Sequence, residues 1–71
     1  MPDSTYKIIE LVGTSESSWE DAAKNALASA SKSLKEMRIG EVTKMDMKIE
    51  NGQPRLFRTR LQVSFKYMKE D

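Results

Sequence analysis

The side chains able to do chemistry in this 71-residue chain are carboxylates, cations and hydroxyls, for it holds neither cysteine nor histidine. That removes disulfides, thiolate nucleophiles, imidazole ligands and any acid–base group that titrates near neutrality. The serines have no histidine to activate them, and no serine–lysine dyad stands out, so no constellation supports catalysis. The carboxylates Glu41, Asp46 and Glu50 can pair across subunits or bind a hard cation. They follow no calcium-loop spacing, and solvated or salt-bridged strand faces are the plainer expectation. Gly13-Thr14-Ser15-Glu16 lacks the glycine spacing and the lysine of a phosphate-binding loop; it reads as a turn leading into a helix cap.

The densest polar array is Arg58, Arg60, Gln62, Ser64 and Lys66, five residues at alternate positions. On a strand they share one face, either solvated or, in an oligomer, lining an interface. There an Arg fork can stack on a flat ring or grip phosphate or carboxylate with two donors. Trp19 offers a stacking surface, but at the head of an apolar stripe it reads as a packing anchor. Met37, Met45 and Met47 read as adaptable packing rather than as a site.

Four elements must position these residues. From Ser17 to Met37, apolar residues recur at Trp19, Ala23, Ala26, Leu27, Ala30, Leu34 and Met37, the spacing of a helix with one buried stripe. Ser17 with Glu20 fits a capping box, and Ser18 with Asp21 offers a second register. Lys35 and Arg38 suit the far end of the dipole, and Gly40 supplies the stop. Such a helix would be roughly 30 Å long.

The strands flank it. Residues 6–12 are apolar on both faces and end at Gly13, and that two-sidedness points to a second face meeting another subunit. Residues 41–50 alternate, but Val42 is out of phase with Met45, Met47 and Ile49, which predicts a bulge near Thr43. Asn51-Gly52 marks a tight hairpin, and Pro54 fits the turn or the next strand's start. Residues 55–68 then alternate cleanly, with Phe57, Thr59, Leu61, Val63, Phe65 and Tyr67 on one side. At roughly 35 Å this strand would match the helix in length. The expected order is β-α-β-β, an α+β fold with the helix lying along the hairpin and the first strand added to the sheet. Met1–Ser4 and Lys69–Asp71 read as polar ends.

One domain spanning 1–71 is expected. A chain of this size buries only about 60% of its extended surface, and small domains offset a thin core with disulfides, metal or self-association. By elimination, oligomerisation is the stabiliser. A net charge of +1 gives no electrostatic case for nucleic acid. With no apolar run near ~18 residues and nothing like a signal peptide, a soluble cytoplasmic protein without membrane contact is the expectation.

Tyr6-Lys7-Ile8-Ile9-Glu10-Leu11-Val12-Gly13-Thr14-Ser15, Ser18-Trp19-Glu20-Asp21-Ala22, Glu41-Val42 and Val63-Ser64-Phe65-Lys66 together resemble the dodecins, in order and over nearly the whole chain. The resemblance implies a three-stranded antiparallel sheet wrapped partly around one helix, with twelve copies forming a hollow homododecamer of cubic symmetry. It also implies a flavin, riboflavin or FMN, stacked in pairs between subunits and stored rather than turned over. Flavin-binding members carry a tryptophan just before the second strand, where this chain has Ile39. Several place a glutamine on the third strand, where it has Arg58. Ile39, Glu41 and Arg58 are therefore the site residues the resemblance implies. The alternative is a flavin-free dodecamer, structural or binding cations of the calcium type.

Overall fold

The computed structural model describes residues 5–67. Its elements run β1 (Tyr6–Ser15), α1 (Trp19–Ala30), β2 (Met37–Glu50) and β3 (Gln53–Lys66). The expected β-α-β-β order holds, as an antiparallel sheet ordered β1-β3-β2. The polar ends expected at Met1–Ser4 and Lys69–Asp71 lie outside the described residues, as does Met68.

The helix starts in the second of the two registers. Ser18 is the N-cap, its side chain accepting from the backbone N–H of Asp21 at 2.9 Å, which satisfies one of the helix's unpaired donors. Asp21 does not reach back to the cap. Its carboxylate accepts from Ser15 Oγ at 2.7 Å, and Ser15 Oγ in turn accepts from the Ser17 backbone N–H at 2.9 Å. Asn25 Nδ2 donates to the Thr14 carbonyl at 3.0 Å, fastening the helix to the end of β1.

The helix ends far earlier than its apolar spacing implies. Twelve residues make about 18 Å, well short of the 14-residue strands. Ser31 closes it, its Oγ donating to the Ala28 carbonyl at 2.8 Å, while Leu34 N–H donates to Ala30 O at 2.8 Å. Glu36 takes a positive φ of 63°, and Met37 already belongs to β2. Lys35 and Arg38 therefore do not cap the dipole, and Gly40 is no stop. It lies within β2, where a Cβ would sit 3.4 Å from a Leu61 methyl and 3.6 Å from Leu27. Leu34 and Met37 keep the helical spacing by accident of sequence; Met37 packs against the core from the sheet.

β1 runs through Gly13 to Ser15, so the expected loop at 13–16 is mostly strand. Gly13 is needed there for closeness: a Cβ would lie 1.9 Å from the Ala22 carbonyl oxygen. Small residues on both sides, Gly13 against Ala22 and Ala26, let backbone approach backbone. Ala22 is fully buried, though the expected stripe omitted it. The core is Ala26, Leu61 and Val63, with Ile9, Leu11, Leu27 and Met37 packed on it.

The helix lies on β1 and β3 and barely touches β2, a correction to the expectation that it follows the hairpin. Since β3 sits between the other two strands, a helix fastened to β1 covers that half only. The hairpin turn is as expected: Glu50 pairs with Gln53, and Asn51 (φ 51°) and Gly52 (φ 74°) supply the two left-handed positions of a type I′ turn. Pro54 sits beside the turn in β3, where the pairing with β2 is irregular.

Candidate functional site

Two bulges aim the side chains of β2. The register shifts between Met37 and Ile39 and again between Val42 and Lys44, so Arg38 and Thr43 are the extra residues. A one-residue insertion reverses the face of everything beyond it. Met37, Gly40, Val42, Met45 and Met47 consequently face the helix side, and Ile39, Glu41, Lys44 and Asp46 face away. The bulge expected near Thr43 is present, and Thr43 Oγ1 pins it by donating to the Arg60 carbonyl at 3.2 Å.

On the face away from the helix the register gives cross-strand rows. Ile8, Ser64 and Ile39 form one; Glu10, Gln62 and Glu41 the next; Val12, Arg60 and Lys44 the third; Thr14, Arg58 and Asp46 the fourth. The ladder Arg58, Arg60, Gln62, Ser64, Lys66 thus shares one face, as the alternation predicts. Ile8, Ile39, Glu41, Gln62 and Ser64 line a shallow concavity of about 220 Å³. Ile39 is 65% exposed there, a large aliphatic side chain beside a carboxylate, an amide and a hydroxyl.

Arg58 lies elsewhere in the chain. It is six residues from Ser64 along β3, about 20 Å away. Its Nε donates to Asp46 Oδ1 at 2.7 Å and its Nη2 to Oδ2 at 2.9 Å, a two-pronged grip. The Arg58 hydrogen bonds hold the Asp46 carboxyl below its ordinary value of 3.8, and Asp46 raises Arg58 in return. One chain therefore brings Ile39 and Glu41 together but leaves Arg58 out.

The other sequence candidates have structural partners. Trp19 Nε1 donates to the Asp46 carbonyl at 3.0 Å, and its ring meets Phe57 edge-on with centroids 4.9 Å apart, the anchor expected. Glu50 pairs with Lys48 at 3.3 Å and reaches Arg55 at 4.0 Å. Among the described residues no three Asp or Glu side chains gather into a metal-sized group. Gln62 and Ser64 belong to the ladder that the alternation picks out; Ile8 as a lining residue, and Asp46 as the holder of Arg58, were not foreseen. Each depends on strand register, and the bulges in β2 hide that register from simple alternation.

The architecture defines a class: a β-α-β-β protein with a three-stranded antiparallel sheet and one helix over half of it. Comparison with known proteins refines this. The dodecin family model matches residues 5–68, and the chain belongs to the dodecin family. A curated relative named calcium dodecin, from Mycobacterium tuberculosis, is 40% identical over 63 residues, 89% of each chain. The solved structure of dodecin from Streptomyces coelicolor superposes with a TM-score of 0.90 at 33% identity, covering 99% of this chain and 100% of that one. A structure of calcium dodecin from M. tuberculosis, described as calcium-chelating with a calcium-binding site, gives 0.83 at 37% identity over 96% and 97% of the two chains. Among the described residues no helix is long and apolar enough to cross a membrane.

Proposed function

We propose that this chain is the repeating unit of a cytoplasmic homododecamer, a hollow shell that stores a small ligand at the contacts between copies. The reading gives the chain a binding role and no catalytic one. Shape supports the assembly. The chain measures 54 × 21 × 15 Å with a radius of gyration of 14.8 Å, against about 11 Å for a compact domain of this length. So open a form leaves surfaces that further copies can cover.

The ligand proposed is a flavin, riboflavin or FMN, and the concavity at Ile39 carries that reading. Ile39 and Ile8 offer an apolar floor, with Glu41 and Gln62 as hydrogen-bonding edges, the combination a flat heteroaromatic ring with a polar rim requires. Ile39 and Glu41 would contact the ring from one copy, and Arg58 would reach it from another. Titrating riboflavin and FMN while following their fluorescence tests this. Quenching at tens of micromolar is expected, and its absence for both would remove flavin as the ligand. Ile39→Trp should tighten binding by about 1–3 kcal/mol, the worth of one stacked aromatic pair.

A second reading rests on the relative named calcium dodecin, 40% identical to this chain. Here a flavin-free shell binds calcium-type cations through carboxylates such as Glu41, Asp46 and Glu50, contributed by several copies because no three cluster among the described residues of one chain. Hard cations take six to eight oxygen ligands, which sharing between copies would provide. A melting temperature that rises with added calcium supports this reading; an unchanged one rejects it.

A further inference from the structure

The turn between β2 and β3 sets a side-chain amide beside an open backbone nitrogen. Asn51 and Gly52 are both exposed, and Glu50 pairs with Gln53 across them. Both central residues are left-handed, at φ 51° and 74°. Nothing lies within 4 Å of the place a Gly52 Cβ would occupy, so the peptide joining the two residues has room to turn. An amide in this position can be displaced from within. The Gly52 nitrogen gives up its proton to solvent and attacks Asn51 Cγ; the new C–N bond closes a succinimide ring, and the side-chain nitrogen leaves as ammonia. Water then opens the ring at one of its two carbonyls, giving aspartate, or isoaspartate with the main chain rerouted through Cβ and Cγ.

We propose that Asn51 is a site of spontaneous covalent modification, converting through the succinimide to isoaspartate while the protein stays folded. The turn type makes this local. A planar ring brings Gly52 N into eclipse with Asn51 Cβ, which for an L-residue means a ψ of about −120°, the value at the first central residue of a type II′ turn. Types I′ and II′ both take positive φ at that residue, and both close a two-residue hairpin. They differ by a flip of the central peptide that carries Gly52 from positive to negative φ, and glycine holds either sign without steric cost. Ring-closing geometry is thus reached with Glu50 and Gln53 still paired. Asn25, the other asparagine, is the internal contrast. It lies in mid-helix, its amide donates to the Thr14 carbonyl at 3.0 Å, and the next residue is the buried Ala26, so its backbone is held away from that geometry. Isoaspartate adds a methylene to a turn built for two residues and sets a carboxylate beside Glu50, which already pairs with Lys48 and Arg55. The Glu50–Gln53 end of the hairpin then opens. The site is at the opposite end of β2 from Ile39 and does not depend on which ligand the protein stores.

The test ages the native protein, as it assembles, in warm neutral buffer beside a peptide of residues 47–54, and follows both by peptide mass spectrometry. Asn51 should gain the mass of an amide turned into an acid, with isoaspartate separated from aspartate by chromatography, while Asn25 stays unchanged. The rate at Asn51 should lie within about tenfold of the peptide's, because a change of turn type adds little to the barrier. Sucrose, which stabilises the folded state, should leave that rate unaltered. A rate that falls with sucrose would assign the reaction to the unfolded chain and overturn the proposal. An unchanged Asn51 beside a converting peptide would overturn it too, since the turn, or another copy packed on it, then locks the central peptide. Asn51→Gly keeps both left-handed positions and removes the amide. Aged native protein should melt several degrees below fresh protein, and aged Asn51→Gly protein should not. Equal melting of aged and fresh native protein would overturn the opening of the turn.

Discussion

Beneath the helix, Thr59, Leu61 and Val63 of β3 are at most 1% exposed; one strand over, Val42, Met45 and Ile49 of β2 are 47%, 59% and 67% exposed. Both sets belong to one hydrogen-bonded sheet. What separates them is the helix, fastened to β1 by Asn25, Asp21 and the Gly13 contact and stopping after twelve residues. The half under the helix is completed within the chain. The other half is an edge strand paired to β3, with uncovered apolar side chains, and it carries Ile39, Glu41, Lys44 and Asp46. The residues proposed to meet the ligand thus sit on the strand least covered by the helix, where a second copy can finish both the packing and the site.

The same substitution made in the two halves exposes the difference most strongly. Gly13→Ala places a methyl 1.9 Å from the Ala22 carbonyl oxygen and 2.9 Å from Ala26 Cβ, so the helix must lift from β1. A loss of about 3 kcal/mol or more is expected from urea unfolding. Gly40→Ala on β2 meets its nearest atom at 3.4 Å, a Leu61 methyl, and should stay within about 0.5 kcal/mol. Equal losses at the two positions would break the comparison.

The Asp46–Arg58 pair sharpens it at the small end. Its partners are roughly half exposed, so its worth is modest and screened by salt. Because the folded-state pKa of Asp46 is lowered, the contribution is present above the ordinary carboxylate range and is lost as pH falls through the lowered value. The stability difference between the native protein and Asp46→Asn, measured by denaturant unfolding at several pH values, should therefore shrink on acidification. A difference that grows toward acid pH would assign the wrong sign to this pair.

Much of this was legible in the residues. Asn51-Gly52, the alternation through Leu61 and Val63, and the phase break at Val42 each have a short-range cause, and each appears where expected. The helix end was not legible. Leu34 and Met37 continue the apolar spacing, while the stop is made by Ser31 and a positive φ at Glu36, with neither glycine nor proline to announce it. The site was legible in part. Ile39 and Glu41 are close in sequence and share a face. Their neighbours Ile8, Gln62 and Ser64 come from two other strands, and the bulge at Arg38 decides which way Ile39 points. Resemblance to dodecins carried the family, and it placed Arg58 in the same site as Ile39. Within one chain Arg58 instead lies six residues along β3 from Ser64 and is paired with Asp46.

The central claim is that further copies complete the β2 half. Sedimentation equilibrium of the untagged chain at dilute concentration and physiological salt tests it most directly. A dodecamer is expected, dissociating when Val42 and Met45 are both replaced by serine. A folded, stable monomer under the same conditions would contradict it.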